Sequence, residues 1–81
     1  MSTRIPGLIA DAVEAVSYGR EHARWLAALA IATRLDLKHN EGREAMELAS
    51  LAHYLAGDCH NYLDCEVERL RKEIDGAEAV Q

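Results

Sequence analysis

From Glu41 to Asp75 the chain has no proline and one internal glycine, Gly57. Small and branched apolar residues recur along it at steps of three and four: Ala45, Ala49, Ala52, Ala56, Leu63, Val67, Leu70 and Ile74, with Cys59 bridging the one gap. That spacing keeps them on one side of a helix. A second row, Leu48, Leu51, Leu55 and Tyr62, lies about a quarter-turn round from the first at roughly 100° per residue. The remaining side is polar, with Glu47, Ser50, His53, Asn61, Asp64 and Glu68. Two apolar rows imply two neighbours, because one partner helix covers one face. Asn40 reads as the N-cap, and Glu41 and Glu44 suit the positive end of the helix dipole. Gly76 reads as the stop, with a frayed tail over 76–81.

The first half carries a similar pattern. Met1–Arg4 reads as a disordered leader. Pro6 stands where a helix start tolerates proline. Ile5, Ile9, Ala12, Val16, Ala23, Ala27, Ala30 and Arg34 then follow steps of three and four, with Gly19 or Arg20 filling the gap between Val16 and Ala23. The spacing predicts a helix over about 6–37, a turn at 38–40 and a second helix over about 41–75. Gly19, after Ser17-Tyr18, is the weak point, since an internal glycine costs about 1 kcal/mol relative to alanine. A continuous or kinked helix is favoured there over a break into two.

Folding the chain back at the turn sets the two rows against each other in one register. Ala30 falls opposite Ala49, Ala27 opposite Ala52 and Ala23 opposite Ala56; farther out, Val16 meets Leu63 and Ile5 meets Ile74. The fold class expected is therefore all-α, a long antiparallel helical hairpin closed by an alanine seam. In that register Gly19 faces His60 and Gly57 faces His22. The leucine row is left over as an apolar sheet: Leu8, Leu26, Leu29, Leu48, Leu51, Leu55 and Tyr62. A face of that size marks an interface. Two hairpins packed through it would make a twofold four-helix bundle.

Composition narrows the function classes. The chain has 81 residues, 49% of them hydrophobic, with no Phe, one Trp and three Tyr. It is one domain with a thin core. A net charge of −5 argues against nucleic acid as a partner, because phosphate affinity comes from clustered Lys and Arg. No run of ~18 apolar residues is present to span a membrane. Cys59 and Cys65 diverge on one helix and lie too far apart to bridge, which fits free thiols in a reducing, cytoplasmic setting.

Candidate chemistry is sparse. His60 and Asp64, four apart, are the one pair with metal-ligand spacing; His53, about 10 Å along the helix, cannot join the same ion. A solvated histidine explains the pair as well. Cys59 and His60 are adjacent, so they point about 100° apart and form no nucleophile–base pair. No phosphate-binding loop or cofactor motif occurs. Tyr18 and Trp25, near the rim of the apolar face, are the partner-contact candidates.

The expected function is a non-enzymatic helical interaction module, a homodimer that acts as adaptor, regulator or inhibitor of another protein. The alternatives are an obligate small subunit or chaperone whose apolar face docks on a different protein, and a metal-binding bundle. In layout alone, the doubled hairpin resembles the plasmid-copy-number proteins that dimerise into four-helix bundles and bind paired RNA loops. No motif residue carries over, and the chain lacks a basic face.

Overall fold

The structure, a computed structural model, describes residues 4–80, with side chains through Gly76. The expected leader lies largely outside the described residues, as does Gln81. Two helices make up the fold, α1 over Arg4–His39 and α2 over Ala45–Val80. They pack antiparallel as a hairpin. α1 runs unbroken through Gly19, where an added Cβ would sit 3.4 Å from the Leu63 side chain. The glycine thus gives room to a leucine of the opposite helix. The expected pairing of Gly19 with His60 does not form: His60 is exposed. Gly57 has open space around it and makes no room for His22.

The register is within one residue of the one the sequence implies. Tyr18 lies across from Tyr62, and Asp11 across from Arg69. What differs is the rotation of each helix about its axis. Among the covered positions of α1, one line runs through Leu8, Ala12, Ala15, Gly19, His22, Leu26, Leu29, Thr33 and Asp36; Asp11, Ser17, Tyr18, Glu21 and Ala32 flank it. The matching line of α2 is Ala45, Leu48, Ala52, Leu55, Cys59, Tyr62, Glu66, Arg69, Glu73 and Gly76, flanked by Gly57, Leu63 and Leu70. Both lines alternate steps of four and three, the seven-residue repeat of a coiled-coil seam. The seam is therefore the join between the two expected rows, with small residues from one and leucines from the other. Ala23, Ala27, Ala30, Ala49 and Ala56 are exposed, which corrects the expected alanine seam. The physical reason is area: turning the leucines inward removes more apolar surface from water than turning alanines inward.

Both helices extend past their expected ends. The turn sits at 40–44 rather than 38–40, and α2 continues through Gly76. Asp36 explains the turn. Its side chain is buried at the end of α1. One carboxylate oxygen accepts from the Asn40 side-chain amide at 2.7 Å, and the other accepts from the Glu44 backbone N–H at 3.0 Å. The Asp36 carbonyl accepts from the backbone N–H groups of Asn40 and Gly42. One residue thus closes α1 and supplies a side-chain acceptor at the start of α2, the role expected of Asn40. Glu41 and Gly42 make the reversal with φ of 59° and 73°.

The turn yields a pair of opposite stability effects. Asp36→Ala removes the shared cap and costs about 1–2 kcal/mol, a fall in melting temperature of about 4–8 °C for each kcal/mol in a domain this size. Gly42→Ala is also destabilising, because its added Cβ is held in the left-handed region and meets Leu37 at 3.0 Å. Glu41→Gly acts in the other direction by relieving the same backbone strain. Thermal melts followed by circular dichroism check all three; a stabilised Asp36→Ala would overturn this account of the turn.

Candidate interaction surfaces

A hairpin with one seam has two long edges, and here they differ in chemistry. On one edge α1 presents Ile9, Val13, Val16, Ala23, Ala27 and Ala30. Beside them α2 presents Ala49, Ala56, Leu63, Val67 and Leu70. Val16 is 72% exposed and Ile9 60%. A shallow groove lined by Ala12, Ala15, Val16, Gly19, Leu63, Glu66, Val67 and Leu70 runs along the junction toward the open end. The charged or titratable positions facing outward on this edge are Arg20, Arg34, His53 and His60; the one acid lining the groove, Glu66, is a seam residue whose carboxylate accepts from Arg69. The chain has 14 acidic residues, so their absence from the outward-facing positions of one edge is a feature of the pattern.

The opposite edge is polar and aromatic. Tyr18 donates its hydroxyl hydrogen to Asp58 at 2.9 Å. Its ring stacks on His22 at 4.2 Å and lies 4.1 Å from Tyr62. His22, only 5% exposed, donates from Nδ1 to the Tyr18 carbonyl at 3.1 Å, since a carbonyl can only accept. Its Nε2 faces Asp58 at 3.8 Å, and its ring leans on Trp25 at 4.9 Å. Of the two partner-contact candidates, Tyr18 is therefore half-buried and engaged within the hairpin. Trp25 remains 45% exposed.

The hydrogen bond to the Asp58 carboxylate, burial and the Asp58 charge raise the Tyr18 pKa above that of a free phenol. Burial raises that of Tyr62, aided by the charge of Glu66.

Toward the open end the seam turns ionic. Arg69 donates to Glu66 at 2.7 Å, to Asp11 at 3.1 Å and to Glu73 at 3.3 Å. The Asp11 contact crosses between helices, and the others are one turn away on α2. Hydrogen bonds to Glu66 and Asp11 raise the pKa of a guanidinium that is already permanently charged. A polar position in a heptad seam fixes register at some cost in stability.

The predicted interface residues divide. Leu8, Leu26, Leu29, Leu48, Leu55 and Tyr62 are half-buried within the single chain, whereas Leu51 is 47% exposed. His60 and Asp64 are both exposed, and no three His, Cys, Asp or Glu among the described residues gather as a metal site. Cys59 lies half-buried in the seam and Cys65 is exposed, both as free thiols. No described helix is long and apolar enough to cross a membrane. Compared with protein-family models, curated proteins and solved structures, the chain matches none.

Two outcomes test the polar contacts. In a double-mutant cycle, Asp11→Ala lowers the melting temperature less in an Arg69→Met background than in wild type, because the partner is already gone; strict additivity would remove Arg69 as a cross-helix tie. In alkaline titration, raised phenol pKa values mean that the folded state holds its protons longer than the unfolded chain. Stability contributed by Tyr18 and Tyr62 is thus fully present below about pH 10, and is lost as pH rises from there through the folded values. Phenolate absorbance should rise at higher pH in native than in denatured protein, and Tyr18→Phe should narrow the gap.

Proposed function

We propose that this chain is a non-enzymatic protein-interaction module that pairs with itself through its acid-free edge, forming a twofold four-helix bundle that serves as adaptor, regulator or inhibitor of another protein. The observation that carries this reading is surface area. The hairpin exposes 6292 Å², whereas a compact monomer of 9.0 kDa exposes about 4,900 Å². The excess is about 1,400 Å² per chain, so a pair covering it would bury about 2,800 Å², within the range of obligate dimers. The radius of gyration agrees, at 18.4 Å against about 12 Å for a compact domain of this length.

The acid-free edge is the surface suited to cover. A twofold axis brings the same patch of each copy together, and most of this patch is Ala, Val, Ile and Leu. Alanines near the turn allow close approach, and branched residues fill the open end. Arg20 and Arg34 have stems long enough to carry their charges to the rim. Of the leucines first expected at this interface, all but the exposed Leu51 contribute instead to the seam of each hairpin.

Val16→Glu separates the possibilities. In an isolated hairpin this position is 72% exposed, so a charge there should leave helicity unchanged. In a dimer it buries an unpaired carboxylate and should dissociate the pair. Sedimentation equilibrium should give twice the chain mass for wild type and the single mass for Val16→Glu, with a melting temperature that depends on concentration only in wild type. A soluble wild-type monomer would overturn self-pairing. Aggregation of the isolated chain, relieved by Val16→Glu, would favour the obligate-subunit alternative.

A further inference from the structure

The edge opposite the acid-free one has its own chemistry. There Tyr18 pairs across the seam with Asp58. One seven-residue repeat nearer the turn, the same register sets Trp25 beside Leu51. Both are close to half-exposed, at 45% and 47%, so this spot is an apolar island. Acids surround it. Glu21 precedes Trp25 by one turn, and Glu47 precedes Leu51 by one turn; Glu44 and Asp58 flank Leu51 at seven residues either way. The bases nearby are His22, buried beneath the tryptophan with its ring 4.9 Å away and its Nε2 3.8 Å from Asp58, and Arg24, on the outer side of α1 with its guanidinium 3.6 Å from Glu21. The lysine of this edge, Lys72, is at the far end of α2. Among the described residues, neither Glu44 nor Glu47 forms a salt bridge.

We infer that this edge is a docking surface for a basic amphipathic helix of another protein, with the Trp25–Leu51 island as the anchor and Glu21, Glu44, Glu47 and Asp58 as the rim that selects Lys and Arg. An exposed tryptophan ringed by charge is the arrangement of an interface anchor. Acids around it raise the encounter rate with a basic partner and reject acidic ones. A second copy of the chain does not fit here, because its own net charge is −5 and the facing acids would repel. The inference rests on reading the chain as an interaction module, though not on its pairing with itself.

The single tryptophan makes the test direct, since its emission reports on this edge alone. The protein is titrated with a synthetic amphipathic peptide of Leu and Lys, with a scrambled peptide of the same composition, and with a Leu and Glu peptide of the same pattern. The expected result is a saturable blue shift with the amphipathic basic peptide, at least about tenfold tighter than with the scrambled one, and no shift with the acidic one. The isosteric pair Glu21→Gln and Glu47→Gln should weaken binding about tenfold, and Leu51→Ala by a similar factor. Helicity by circular dichroism identifies any variant that has not folded. Equal affinity for the scrambled peptide, no shift with the basic peptide, or binding untouched in folded variants would each overturn the proposal. Repeating the titration on Val16→Glu keeps the two readings apart: a monomer that still binds the basic peptide sinks self-pairing as a requirement and leaves this surface standing.

Discussion

One helix–helix seam organises the molecule. It sets leucines, small residues and a few polar groups at heptad spacing, and it is the main tertiary contact the described residues have. Two helices can shield each other along one line only. Ala15 is accordingly the sole buried hydrophobic residue among those described, still 8% exposed, and no large side chain is completely enclosed. The polar groups at the two ends of the seam do what the thin apolar middle cannot. Asp36 ties the end of α1 to the start of α2, and Arg69 ties α2 to Asp11 near the open end. Sliding one helix by a turn would break both ties together. Leucine against alanine is tolerant of such slips, whereas directional hydrogen bonds are not.

That division of labour shapes the rest of the surface. Because the seam takes its leucines from one row and its small residues from the other, the outer half of the alanine row is turned outward. It forms a long apolar edge whose one groove-lining acid, Glu66, has its carboxylate bound to Arg69. The acids are displaced to the other edge, the outer sides and the seam ends, where water or Arg69 meets their charge. Leaving carboxylates off an edge lowers the desolvation cost of covering it. A net charge of −5, carried elsewhere, makes copies of the chain repel one another at long range.

Much of this was legible in the sequence. The helical periods, the antiparallel reversal and the register to within one residue followed from the spacing of apolar positions. The rotation of the helices did not. Two apolar rows a quarter-turn apart can be read as one seam and one leftover face, or as two sides of a single seam centred between them. Periodicity alone does not choose between these, but the larger area of leucine does. Arg69 stands among charged neighbours whose i,i+4 pairs account for it locally; its partner Asp11 lies 58 residues away. Asp36 was hidden for a similar reason, as its carboxylate reaches eight residues along to Glu44. The edge free of outward-facing acids is written in the spacing of Asp and Glu, which avoid the helical positions beside the alanines.

The two proposed contacts do not compete for surface. They lie on opposite sides of the seam, so covering one leaves the other open. The aromatic cluster shows the same separation within one edge. Tyr18 and His22 are committed inward, stacked and hydrogen-bonded across the hairpin, and they hold Trp25 against a rigid backing. An exposed ring that is already supported loses little side-chain freedom when a partner covers it, which makes contact there more favourable than at a free side chain. Internal packing of the aromatic residues and display of the tryptophan are thus one arrangement: the ring that is left out is held in place by those turned in.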